Sequence, residues 1–166
     1  LDRWPVHSVV LTPHTEFGNM YLIEVSRGCS RGCRFCLGGY LYRPLRQRSV
    51  PAIVAQAREG LRHRRTLGLV GAAVSDYSDI DTLLRELQSL GARIAVSSLR
   101  VHPLPESLLE VLAESDTQTL TLAPEAGSER LRRLISKGVT HDHILDAAER
   151  AGRHGFPQLK LYFIVG

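Results

Sequence analysis

Two rhythms of apolar and polar positions alternate along this chain of 166 residues. Short runs rich in branched and other apolar residues have the length and composition of strands: "MYLIEVS" (20–26), "GLVGAAV" (68–74), "RIAVSSL" (93–99), "QTLTLA" (118–123) and "QLKLYFIV" (158–165). Between them apolar positions recur at helical spacing. Ile53, Val54, Ala57 and Leu61 share one face after a start signal at Ser49 and Pro51. Ile80, Leu83, Leu84, Leu87 and Leu90 form the next stripe, with Gly91 placed as its C-terminal cap and Asp79 as its N-cap. Leu108, Leu109 and Leu112 mark a third helix. The last connection holds two pieces, 128–136 and 140–153, broken at Gly138. Ser128 suits an N-cap, and His141 and His143 around Asp142 read as capping residues.

Strands alternating with helices predict βαβ units, hence an α/β fold with a parallel sheet. Right-handed crossovers then gather the loops that follow the strands on one face, where chemistry is usually sited. Five strands cannot close an eight-stranded barrel, which leaves an open doubly wound sheet or a partial (β/α) barrel. No G-x-G-x-x-G follows the first strand, which weighs against a dinucleotide fold. Residues 1–19 read as a lead-in and 20–166 as the core. The chain starts without Met and stops in an apolar strand, so a piece of a longer protein is expected, its last strand an uncovered edge.

Composition is ordinary for a globular protein, with 43% hydrophobic and 23% charged residues. No run of about 18 apolar residues predicts a membrane span. An odd count of three cysteines without an export signal points to a reducing compartment, hence the cytoplasm. Charge alters the picture more. Net charge is +4, yet residues 27–65 hold ten arginines, no lysine and one acid, Glu59, so this stretch carries +9 and the rest −5. Such a stretch suits an anionic cofactor, a phosphate-bearing substrate or RNA. The plainer reading is a solvated arginine-rich helix face in a chain with 19 Arg against 2 Lys.

All three cysteines lie in "CSRGCRFC", residues 29–36. Positions 29, 33 and 36 are also one face of a helix, where cysteine packs as a small hydrophobe. Gly28, Gly32, Gly38 and Gly39 oppose that reading, since each costs a helix about 1 kcal/mol relative to alanine. Structural zinc, with His14 or water as fourth ligand, is an alternative, but the usual two-pair spacing is absent. An iron–sulfur cubane is the third. It normally takes four thiolates, so three would leave one iron open to a ligand that is not protein.

C-x3-C-x2-C, with Phe35 before the last cysteine and after the first strand of a βα series, resembles the radical S-adenosylmethionine (SAM) superfamily. "LTPHTEFGNMYLIEVSRGCSRGCRFCLGGYLYRPLRQRS" and "LAPEAGSERLRRLISKGVT" are similar to radical SAM proteins that carry an upstream cobalamin-binding-like domain. More distantly they resemble the radical SAM methylthiotransferases. The resemblance implies a partial (β/α) barrel of the radical SAM type, with about five parallel strands in this stretch and the last barrel strand beyond it. It also implies that Cys29, Cys33 and Cys36 hold a 4Fe-4S cluster, and that the open iron binds the amino and carboxylate groups of SAM. An electron from the cluster then gives a 5′-deoxyadenosyl radical for hydrogen abstraction.

Further assignments follow from the resemblance. Phe35 sits beside the adenine or simply packs. The superfamily's Gly-Gly-Glu stretch corresponds to "VGAAVSD", where Gly71 matches, the acid is missing, and Ser75 or Asp76 takes over its contact. Strand alternation after Ser97 puts Ser98 and Arg100 on one side. Arg100 either pairs the methionyl carboxylate as a fork or makes a surface salt bridge. Glu125 accepts from the ribose hydroxyls. Lys137 lies over the methionyl carboxylate or serves a helix C-terminus. Implied partners are a reductant such as flavodoxin or ferredoxin, with either RNA as substrate or a cobalamin domain for methyl transfer. The competing function is a zinc-stabilised, arginine-rich RNA-binding module without catalysis. No residue pattern identifies the substrate.

Overall fold

The computed structural model describes residues 1–165. In chain order the elements are β1 (Met20–Glu24), β2 (Ser26–Arg27), α1 (Gly38–Leu41), β3 (Arg46–Gln47), α2 (Val50–Gly60) and β4 (Thr66–Val70). Then come α3 (Ile80–Ser89), β5 (Arg93–Val96), α4 (Glu106–Glu114), β6 (Thr119–Glu125), α5 (Glu129–Leu134), α6 (His141–Arg153) and β7 (Gln158–Phe163). β1 pairs in parallel with β4, β4 with β5, and β6 with β7. Leu99, just beyond β5, bridges Leu122 of β6: its N–H donates to Thr121 O (2.8 Å) and its carbonyl accepts from Ala123 (3.1 Å). Each long strand therefore lies beside the one before it, with no reversal of order. A doubly wound sheet requires such a reversal; the wall of a barrel does not. The partial barrel is the observed solution.

The lead-in seals the other edge of β1. His7 bridges Ile23 in antiparallel sense, Ser8 N–H donates to Leu22 O (2.9 Å), and Glu24 N–H donates to Val6 O (3.0 Å). Alternation along β1 sends Tyr21 and Ile23 into the core while Met20 and Leu22 stay half-buried. The outer layer supplies the expected stripes, with Ile53 and Ala57 from α2, Leu83, Leu84 and Leu87 from α3, and Leu108, Leu109 and Leu112 from α4. Ser49 caps α2 by accepting from Ala52 N–H, and Gly91 follows the C-cap of α3. Gly60 stands where a Cβ would run into the Tyr21 ring. Alanine there, normally helix-favouring, is expected to destabilise the protein by about 1–3 kcal/mol through overpacking. A urea titration beside the parent protein checks this.

Several sequence expectations need correction. The first strand does not run to residue 26: it stops at Glu24, and Ser26 joins a two-residue antiparallel ribbon with β3. The strand expected at 68–74 is β4, ending at Val70; Ala73 and Val74 are buried in and beside a 3-10 turn, Val74–Asp76. A buried turn has the same apolar composition as a strand end. The run 93–99 breaks after Val96, Ser97 and Ser98 form an exposed bend, and Leu99 alone rejoins the sheet. The alternation that paired Ser98 with Arg100 is therefore lost. Arg58, Arg62 and Arg65, on and just after α2, are exposed as a solvated helix face requires, but the rest of the arginine-rich stretch is not all solvated. Arg48 is buried, bonded to Glu24 Oε2 (2.6 Å) and Leu1 O (2.6 Å), because the lead-in folds over it. Asp79 holds the N-cap position of α3 without a side-chain capping bond.

Candidate functional site

The cysteine loop leaves β2 at Gly28, whose φ of +85° and close approach to the Tyr42 carbonyl admit no side chain. Residues 29–36 have no helical hydrogen bonding before α1, so the helix-face reading of the cysteines fails. All three thiols are free; Cys33 is buried, and Cys29 and Cys36 are half-exposed. The loop is pinned from several sides. Arg34 N–H donates to Ile135 O at the end of α5 (2.9 Å), and Cys36 N–H donates to Cys33 O (3.1 Å). Arg43 donates to Arg31 O (2.7 Å), and Arg31 N–H donates to Cys29 Sγ (3.4 Å). Among the described residues no three His, Cys, Asp or Glu side chains converge as a single ion would require, and His14 does not join the cysteines as a fourth ligand. A cubane, unlike a single ion, would meet each thiolate at a different iron.

Loops from successive strands meet this one at a single mouth. Arg31 Nε donates to Asp76 Oδ2 (2.9 Å), and Arg100 Nε lies 3.8 Å from Asp76 Oδ1. Arg100 also donates to His102 O (3.2 Å) and Lys137 O (3.5 Å). Its guanidinium is buried, not part of a surface salt bridge. The hydrogen bond to Asp76 raises the pKa of Arg31 above its ordinary value, so the cation stands firmly beside Cys29 and Cys33.

The β6 side of the mouth has its own construction. Buried Pro124 cannot donate to the ladder, and the register slips between Leu122 and Glu125. Glu125 takes φ +70°, uncommon for a residue with a side chain, and accepts from Lys137 Nζ (2.9 Å). Lys137 Nζ lies 5.9 Å from the centre of the half-exposed Phe35 ring. Ser128 caps α5 through Leu131 N–H, as expected; at α6 His143 does take part in a capping box, but its partner is Thr140, and His141 is the first residue of the helix.

Of the residues singled out from sequence, Phe35, Asp76, Arg100, Glu125 and Lys137 are brought together around the cysteines. Gly71 packs against Ser26, and Ser75 is buried behind the loop. Ser26 Oγ, Ser75 Oγ and Asp76 Oδ1 are buried without a hydrogen-bond partner among the described residues, a state that Arg48 Nε, Gln56 Oε1 and Arg132 Nη2 share. Ser98 is exposed and stands apart. Sequence reasoning missed Arg31, which links the cysteine loop to Asp76, and Arg132, which braces the Glu125–Lys137 side. Nothing in the pattern separates these two from the chain's other arginines.

One pH effect arises at the rim. His102 and His143 stack with ring centres 4.0 Å apart. Burial, the neighbouring His143, and the charges of Arg31 and Arg100 push the pKa of His102 below its ordinary 6.5. The unfolded chain therefore binds the proton more readily than the folded one. This contribution to stability is whole above about pH 6.5 and is lost as pH falls through the lower folded value. A modest fall in Tm below pH 6.5, reduced in His143→Asn, is the expected result of thermal melts.

A family model of the radical SAM superfamily matches residues 23–166. An uncharacterized protein of Methanocaldococcus jannaschii is 37% identical over 168 residues, covering 100% of this chain and 37% of that protein. The cytidylyl-2-hydroxyethylphosphonate methyltransferase of Streptomyces wedmorensis is 29% identical over 167 residues, covering 93% of this chain and 30% of the enzyme. The ribosomal protein uS12 methylthiotransferase RimO of Thermotoga maritima is 25% identical over 158 residues, 87% of this chain and 36% of its own. The chain thus spans about a third of the length of these relatives. The same fold occurs in the radical SAM methyltransferase TsrM of Kitasatospora setae, solved with cobalamin and a 4Fe-4S cluster bound. Its TM-score is 0.68 at 16% identity, over 87% of this chain and 31% of TsrM.

Proposed function

The chain belongs to the radical SAM superfamily, and on that premise we propose that it is an enzyme core holding a 4Fe-4S cluster on Cys29, Cys33 and Cys36 and SAM beside it. The observation that carries this reading is the placement of three free thiols on one irregular loop, at the mouth where Asp76, Arg100, Glu125 and Lys137 also meet. When bound, the reduced cluster supplies the electron that splits the SAM sulfonium into methionine and a 5′-deoxyadenosyl radical, which abstracts hydrogen from a substrate.

The chain's own groups divide the binding task. Asp76 Oδ1, buried and without a hydrogen bond, accepts from the ammonium of the methionyl part, with Gly71 and Ser75 beside it. Arg100 and Lys137 keep positive charge near the methionyl carboxylate. Glu125 takes the ribose hydroxyls, since a carboxylate only accepts, and Phe35 flanks the adenine. Ser98 lies outside this group. Within the wall, Phe17, Met20, Leu22, Gly68 and Ala95 line an apolar cleft of about 250 Å³ that excludes water from a substrate's hydrocarbon part.

The electron comes from a carrier such as flavodoxin or ferredoxin. As reaction class we favour methyl transfer, with cobalamin held by a domain outside this stretch, over RNA modification. The similarity to a phosphonate methyltransferase supports it. The pairing of Arg31 and Arg48 with the carboxylates of Asp76 and Glu24 also weakens the case for an RNA-binding patch. Anaerobic reconstitution of the full-length protein tests the core of this reading. Iron, sulfide, a visible iron–sulfur band and release of 5′-deoxyadenosine with methionine are expected. A colourless protein that binds zinc would defeat it.

A further inference from the structure

A patch of unusual character adjoins the cysteine loop. Leu37, Tyr40, Leu41 and Tyr42 are between 51 and 70% exposed, in and around the single turn of α1 that follows Cys36. The turn is tied to the loop by Gly39 N–H, which donates to Cys36 O (3.1 Å). No acidic residue occurs between Val25 and Arg58. Arg43 lies 5.0 Å from the Tyr40 ring centre and bonds to Arg31 O, while Arg46 bonds to Tyr42 O and Pro44 O. These acceptors are all neutral carbonyls, so both guanidiniums keep their full charge toward solvent. The result is an aromatic and aliphatic centre with a positive border.

We propose that this patch is the docking surface for an acidic electron-carrier protein of the flavodoxin or ferredoxin class. The proposal rests on the reading of the three cysteines as cluster ligands, and it adds where the electron enters. Three features select this occupant. An electron donor must come against the cluster loop, and Leu37 is the residue next to Cys36. A patch with no acid in its own segment and two arginines at its border complements a negatively charged partner and speeds its encounter. Its small extent suits a brief redox encounter, which buries less area than a lasting complex.

The test follows bleaching of the cluster band in the reconstituted full-length protein on mixing with reduced flavodoxin. Leu41→Glu puts a negative charge at the centre of the patch and is expected to lower the second-order rate constant about tenfold. Leu41→Lys is expected to match or exceed the parent, and added salt to slow the parent. Dithionite, which needs no docking surface, is expected to reduce all three proteins alike. Equal flavodoxin rates for the three would overturn the proposal. So would equal slowing by Lys and Glu, the result expected if another part of the same protein covers Leu41. A parent protein with no chromophore for dithionite to bleach would remove the cluster reading, and this proposal with it.

Discussion

Cys33→Ala is expected to leave the reconstituted protein colourless, with iron falling from about four per chain to less than about one. Deoxyadenosine release should fall to the level of a no-enzyme control. On the proposed reading the loss is complete in kind, because three corners of the cubane would depend on three thiolates. Two remaining on an irregular loop cannot fix its orientation toward Asp76 and Lys137. The fold should survive, since a small side chain is shortened by one atom at a cost of about 1 kcal/mol. Far-ultraviolet circular dichroism and iron analysis on one sample separate lost cluster from lost fold. Cys29→Ala and Cys36→Ala should behave the same way. Retention of a full cluster in any of the three variants would show that that thiol is not a ligand.

Arg132→Met is expected to lower stability by about 3 kcal/mol, the largest effect foreseen for a residue that touches no cofactor. Arg132 is 1% exposed; its Nε donates to Val139 O (2.7 Å), and one Nη donates to Ala126 O (2.9 Å) and Gly127 O (2.8 Å). One guanidinium thus ties the turn before α5 to the turn after it, fixing the backbone on both sides of the Glu125–Lys137 pair. Methionine fills the volume but leaves three carbonyls without their donor. Arg132→Lys should recover little, because a single ammonium lacks the planar fork that serves both turns. The fall in urea midpoint measures the effect. A loss below about 1 kcal/mol would mean that solvent replaces the guanidinium at these carbonyls.

The elements with the strongest periodicity were the ones legible in the sequence. The stripes of α3 and α4 are buried as their spacing predicts, and the helix break at Gly138 and the caps at Ser49 and Ser128 are where the residue types put them. That the cysteines lie on an irregular loop was equally clear, because the glycines around and among them oppose a helix. What remained hidden depends on contacts distant in sequence. β2 and β3 have two residues each, too short for any period to register. Arg48 and Arg132 look like surface residues until the lead-in and two turns close over them. The end of β4 was misplaced because Ala73 and Val74 are as apolar in a buried turn as in a strand. Around the site, Asp76 and Arg100 could be named individually, but not their meeting. Arg31, 45 residues away from Asp76 in sequence, gave no sign of being its partner.

The bridge at Leu99 has a mechanical consequence. β1, β4 and β5 form one laddered panel and β6 with β7 another, and at Leu99 the panels are joined by just two backbone hydrogen bonds. Across the same line Arg100 reaches toward Asp76 on one side and the Lys137 carbonyl on the other. This is a seam, the line along which opening the wall would break the fewest backbone hydrogen bonds. On the proposed binding mode, a ligand held by both Asp76 and Lys137 would span this line as a clasp, adding its own contacts to the few backbone bonds that close the wall.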